Sequence, residues 1–99
     1  MKFKSGYFDW KVRFLPYMDE IGNHGDTDFD KKEIRIDSTM ISANKKETLL
    51  HEILHVCLED SGHMDEALEE KVIRIISPRL IHILAENADL RDYILGKDE

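Results

Sequence analysis

The spacing of the apolar residues changes near residue 38, and this change limits the folds that the chain can adopt. From position 8 to position 14, aromatic or β-branched residues at even positions alternate with charged residues at odd positions. This alternation is typical of a half-buried strand. After residue 38, apolar residues recur three and four positions apart, as in amphipathic helices. Strands followed by helices predict an α+β domain that begins with a small β-hairpin or short sheet.

Two strands are predicted in the N-terminal part. The first contains Trp10 and Phe14, which we expect in the core, and it ends at Pro16. Residues 19–32 are polar and rich in Gly and Asp, so they predict a loop or a wide hairpin connection. Ile34 and Ile36 then alternate with charged residues in a short second strand. Its mixed charges are typical of an edge strand.

Two long helices are predicted next. Asn44 is a candidate N-cap, with Glu47 three residues later as in a capping box, and the apolar pattern runs on to Gly62. Asp65 is a candidate N-cap for the second helix. Pro78 lies inside that helix and should kink or break it.

A short third helix is predicted from Asn87 to Leu95, with Gly96 at its end. The chain of 99 residues has room for one domain, residues 1–99, with one modest core. Cys57 is the one cysteine, so an internal disulfide is excluded, and its position among apolar residues predicts a buried thiol.

Charge and hydropathy exclude some functions. The net charge of −7 argues against a broad nucleic-acid surface, which needs clustered Lys and Arg. The first six residues do not form a secretory signal, and no apolar stretch approaches the length that spans a bilayer. We therefore expect a cytoplasmic protein that binds neither nucleic acid nor membrane. The charge is compatible with a peptide or protein partner but does not point to one, and the oligomeric state stays open.

The predicted first helix carries an HExxH motif, His51-Glu52-Ile53-Leu54-His55. Positions i and i+4 lie one turn apart on the same helix face, so His51 and His55 can bind one zinc ion. Glu52 is adjacent, and its carboxylate can accept a proton from a water that the metal acidifies. The motif thus predicts His51 and His55 as ligands and Glu52 as the general acid/base.

A catalytic zinc site usually has three protein ligands, so a third must come from elsewhere. Leu58 and Ser61 occupy the places where an extended HExxHxxGxxH motif needs Gly and His. Glu69 is favoured because its helical phase places it with Ile73 on the packed side of the second helix. Glu70 lies further toward the polar side and remains an alternative. The other candidates are Asp60, His63, Asp65 and Glu66.

These residues resemble a known family. The segments Thr48–His55, Glu69–Val72 and Glu86–Leu90 are similar to small metallopeptidase-like proteins of bacteriophages and mobile elements, minimal relatives of the ImmA/IrrE-type gluzincins. The resemblance implies a zincin-like fold and a zinc peptidase inside the cell. It also implies a third ligand from the following helix, matched by Glu69 ahead of Val72, and an edge strand, Ile34–Asp37, that could hold an extended substrate.

The remaining polar residues and the chain as a whole also allow other roles. His24, His82 and Tyr93 are structural or exposed in the simplest interpretation, and each is also a candidate donor to an oxyanion. The main alternative to a peptidase is a metal-stabilised, non-catalytic interaction module of phage or mobile-element origin. A toxin–antitoxin or repressor-like module with incidental histidines is a third hypothesis, and the acidic charge disfavours its DNA-binding form.

Overall fold

The computed structural model describes residues 1–18, 24–61 and 64–96, without the side chains of residues 60 and 61. Within these residues the chain forms a four-stranded mixed sheet followed by helices, so the predicted α+β class is confirmed. The strands are β1 (Lys2–Ser5), β2 (Phe8–Leu15), β3 (Gly25–Asp28) and β4 (Glu33–Asp37). The helices are α1 (Ser42–Ser61), α2 (Glu66–Glu86) and α3 (Ala88–Leu95).

The sheet has the order β1-β2-β4-β3. Strands β1 and β2 form an antiparallel hairpin that turns at Gly6, whose φ of 61° suits a tight hairpin turn. Strand β2 is parallel to β4, and β4 is antiparallel to β3. Sequence reasoning missed β1, and it missed β3 because Gly25–Asp28 lacks apolar alternation. Residues 19–23 of the expected loop lie outside the described residues.

The prediction that Ile34–Asp37 is an edge strand is wrong. Strand β4 lies between β2 and β3, and Ile34 and Ile36 are both completely buried. Its charged residues pair sideways with both neighbours: Arg13 Nη1 of β2 lies 3.2 Å from Glu33 Oε1, and Arg35 Nε donates to Asp26 Oδ1 of β3 at 2.7 Å. Mixed charges therefore reflect cross-strand pairing, and the edge strands of the sheet are β1 and β3.

The core lies between the sheet and α1. It contains apolar residues from β2, β4 and α1: Trp10, Val12, Ile34, Ile36 and Val56. Helix α1 packs against β3 and β4 and also against α2, which in turn contacts α3. The expectation for Trp10 is confirmed, but that for Phe14 is wrong because its side chain is 41% exposed. Cys57 is also exposed rather than buried.

Most predicted helix boundaries agree with the structure. Asp65 caps α2, where its Oδ1 accepts a hydrogen bond from Leu68 N at 3.0 Å, and α3 runs from Ala88 to Leu95 as expected. Helix α1 begins at Ser42, and Lys45 N donates to Ile41 O, so Asn44 is inside the helix and is not its cap. Helix α2 continues through Pro78 without a break. Gly62, the expected stop of the first helix, lies outside the described residues.

Candidate metal centre

Helix α1 presents His51, Glu52 and His55 to a cavity beside α2 and β3. The two imidazole rings lie one helical turn apart, with their centroids separated by 5.0 Å. Val56 lies in the core, and Leu49 and Ile53 of the same helix pack against the core, so these apolar residues hold α1 on the sheet. The helix that the motif requires is therefore fixed by packing along one face and carries the two histidines beside that face.

Glu70 of α2 reaches both histidines. Its Oε1 lies 3.2 Å from His51 Nε2, and its Oε2 lies 2.7 Å from His55 Nε2. The ligand atoms of these three residues lie within 4.8 Å of one another. Two imidazoles and one carboxylate that converge in this way form a donor set that fits a divalent metal ion.

Glu69 contacts the opposite side of the His55 ring. Its Oε1 lies 2.8 Å from His55 Nδ1, and the residue is buried, with 9% exposure. Because the carboxylate can only accept, the His55 Nδ1–H donates this hydrogen bond. Of the two glutamates, Glu70 is the one that clusters with both histidines and lines the cavity in front of them.

The remaining candidates for the third ligand are placed differently. Asp65 serves as the α2 cap. Glu66 is exposed and lines a neighbouring cavity with Glu59. His63 and the side chain of Asp60 lie outside the described residues.

Glu52 is a buried carboxyl beside the metal centre. It is 7% exposed, and its Oε2 accepts a hydrogen bond from Thr27 Oγ1 at 2.9 Å. Burial raises the pKa of Glu52, although the Thr27 hydroxyl and the two nearby histidines act in the opposite direction. A raised pKa makes the Glu52 carboxylate a stronger proton acceptor than an ordinary one, which favours the role of a general base.

The carboxylates around His55 change its protonation. Burial disfavours the His55 imidazolium, but hydrogen bonds to Glu69 and Glu70 outweigh burial and raise the pKa of His55. Burial also opposes ionisation of Glu70, but the hydrogen bond from Arg74 Nε, 2.9 Å long, and the nearby histidines lower the pKa of Glu70. In this arrangement a metal ion would replace the proton on His55 Nε2 while Nδ1–H remains bonded to Glu69.

The cavity in front of these residues has a volume of about 510 Å³. Edge strand β3 forms one wall with Gly25 and Thr27, and Arg74 of α2 lies on another. A Cβ atom on Gly25 would lie 2.6 Å from Thr48 Cγ2 of α1, so glycine is what lets this strand approach the helix. The wall that an edge strand provides suits an extended chain.

The three candidate oxyanion donors lie in different parts of the structure. His24 lines the cavity at the start of β3. His82 and Tyr93 are exposed on α2 and α3 and are not among the described residues that line it. Sequence reasoning missed Thr27, which carries no local signal, and Arg74, whose i, i+4 spacing from Glu70 on a predicted helix was the available signal.

The fold and the donor set together define a metal centre of the kind used by metallopeptidases. The family model described as the IrrE N-terminal-like domain, peptidase family M78, matches residues 6–88, and the chain therefore belongs to this family. The resemblance to ImmA/IrrE-type proteins that the motif implied is thus confirmed. No match was found among curated proteins or among solved structures.

Proposed function

We propose that this protein is a zinc-dependent metallopeptidase in which His51, His55 and Glu70 hold the metal and Glu52 is the general acid/base. One observation carries the proposal: the three donor groups converge beside a carboxyl that is buried and has a raised pKa. Burying a carboxyl disfavours folding, so its position at the metal centre points to chemistry rather than to stability.

The donor set favours zinc in a catalytic site. Two imidazoles and one carboxylate are a common catalytic zinc set, and three protein ligands leave one position open. Glu69 then acts outside the ligand set, where it fixes the tautomer and orientation of His55. Arg74 supports the Glu70 carboxylate in the same way.

The proposed chemistry divides between the metal and the chain. A bound zinc ion supplies a Lewis acid that acidifies water and polarises the scissile carbonyl. Glu52 accepts the proton of the attacking water and then passes it to the leaving amine. Because Glu52 is held by Thr27 and sits between the two histidines in sequence, its carboxylate lies beside the metal position without displacing a ligand.

An extended peptide or protein segment is the substrate that the cavity fits best. Strand β3 pairs with β4 on one side and borders the cavity, so its backbone can align an extended chain across His51 and His55. This corrects the strand expected for that role, Ile34–Asp37, which is internal.

Two broader expectations remain predictions. We infer that residues 1–99 act as one domain and that the protein works in the cytoplasm. None of the helices in the described parts of the chain combines the length and the apolar character needed to cross a membrane.

Metal analysis tests the ligand assignment. Protein purified without added metal should carry about one zinc ion per chain, and titration after chelation should restore it. Glu70→Ala should lower zinc affinity more than about 100-fold, whereas Glu69→Ala should lower it about 10–100-fold, as expected for an outer-shell partner. A larger loss for Glu69→Ala would restore the assignment predicted from the sequence.

Cleavage of a fluorogenic library of extended peptides tests the chemistry. Glu52→Gln should keep zinc and lose about 10²–10⁴-fold in rate. Glu47→Gln is the matched control, because Glu47 lies five residues earlier on α1 and lines the same cavity. Equal loss in both variants, or cleavage by Glu52→Gln at the parent rate, would refute the role of Glu52.

A further inference from the structure

We propose that Thr27 is a positioning residue for the general acid/base: its hydroxyl holds one oxygen of Glu52 and leaves the other for the attacking water. The inference rests on the proposed function and extends it to edge strand β3. Thr27 is remote in sequence from the HExxH motif, yet in this proposal it controls the geometry of proton transfer.

The hydrogen bond between Thr27 and Glu52 is partly sheltered from solvent. Thr27 Oγ1 donates to Glu52 Oε2 at 2.9 Å, and Glu52 has little other exposure to solvent. A buried carboxylate without such a donor loses a charge-assisted hydrogen bond that water cannot easily replace. Glu52 lines the cavity together with His51 and His55, so with Oε2 engaged by Thr27 the oxygen assigned to the attacking water is Oε1.

The sheet register fixes Thr27 in this position. Gly25 and Thr27 pair with Ile36 and Ile34 of β4, whose side chains are buried against α1. Side chains alternate across a strand, so Gly25 and Thr27 share the face that meets α1. The missing Cβ of Gly25 allows the close approach to Thr48, and Thr27, two residues further along, then reaches Glu52.

This arrangement links substrate alignment to catalysis. An extended chain that pairs with β3 lies beside the same strand that orients Glu52, so one element sets the positions of both the scissile bond and the base. Small misplacements of reacting groups cost rate rather than affinity, up to about 10²-fold for 1 Å. Removal of the Thr27 hydroxyl should therefore act on kcat.

The kinetic test compares three variants on a fluorogenic peptide that the parent cleaves. Thr27→Val should lower kcat about 10- to 100-fold with KM and zinc content unchanged. Thr27→Ser, which keeps the hydroxyl, should recover most of the rate. Thr39→Val is the matched control: the Thr39 hydroxyl donates to a different carboxylate, Asp37 Oδ1, at 2.6 Å, and Thr39 is not among the described residues that line the cavity, so kcat should stay at the parent value.

A second test needs neither substrate nor metal. In urea unfolding of the chelated protein, the changes in the free energy of unfolding caused by Thr27→Val and Glu52→Gln should be non-additive, whereas those caused by Thr39→Val and Glu52→Gln should add. Full kcat in Thr27→Val while Glu52→Gln is inactive, or additive effects on unfolding, would overturn the role of Thr27 and leave the peptidase assignment intact. Absence of cleavage by the zinc-loaded parent would instead refute the proposed function, and this inference with it.

Discussion

The layer formed by helices α1, α2 and α3 buries different kinds of residue at its two ends. Around the metal centre, α1 and the first turns of α2 bury the carboxyl groups of Glu52 and Glu69. Beyond Ser77, no residue of α2 is buried, and none of α3 is, both helices lying within the described residues. That far end instead exposes large apolar side chains, among them Ile83, Ile94 and Leu95.

This difference separates the residues that fold the protein from those that serve the site. Buried carboxyl groups oppose folding unless they are hydrogen-bonded, so the core under α1 must offset them. Helix α3 contributes little to that core, since it contacts only the adjacent helix to a substantial extent. We therefore expect the metal centre to depend on the sheet and α1 much more than on the α2–α3 end.

The largest effect should come from the core beneath the site. Ile34→Ala removes a completely buried side chain of the central strand and should lower the free energy of unfolding by about 2–5 kcal/mol. Ile94→Ala, at a position 58% exposed on α3, should change it by about 0.5 kcal/mol or less. Urea unfolding of both variants measures this contrast. Similar losses in the free energy of unfolding would show that the core beneath the site and the α3 end contribute equally to stability.

A smaller effect is expected at the contact between β3 and α1. Gly25→Ala places a Cβ against Thr48 Cγ2 and should destabilise the protein by about 1–3 kcal/mol. Thr48→Ser removes that methyl group, so the double variant should recover part of the loss. If Gly25→Ala alone has the same free energy of unfolding as the parent, the contact between β3 and α1 is not tightly packed.

The smallest effect concerns how the folding stability of the metal-free protein depends on pH. Because the pKa of Glu52 is raised in the folded state, the native protein binds more protons than the unfolded chain between the ordinary and the raised value. Stability is therefore lost as pH rises through this window. Glu52→Gln should be more stable than the parent at neutral pH, and the difference should shrink as pH falls below the ordinary carboxyl pKa.

The exposed Glu86, at the other end of α2, is the control for this measurement. Glu86→Gln should leave the free energy of unfolding almost unchanged at every pH, because an exposed carboxylate is already solvated. A Glu52→Gln variant that is less stable than the parent at neutral pH would contradict the conclusion that burial of this carboxyl opposes folding.

Local patterns in the sequence determined most of the helices, one central strand and the placement of the two histidines. The alternation around Trp10 predicted β2, the helical spacing predicted α1 near its observed bounds, and the Asp65 cap predicted where α2 begins. The i, i+4 spacing placed His51 and His55 on one face of a helix. These features depend on residues close in sequence, whose geometry is set by the period of a helix or a strand.

Tertiary structure decided the strand order and the remaining members of the site. Which strand lies at the edge depends on pairing between distant segments, and the charges of β4 do not reveal that Arg13 and Asp26 lie on either side of it. Glu69 and Glu70 differ by one step on the same helix, so only the packing of α2 on α1 could place Glu70 between the imidazoles. Thr27 reaches Glu52 because β3 folds back beside α1, a contact across 25 positions of sequence that no local period encodes.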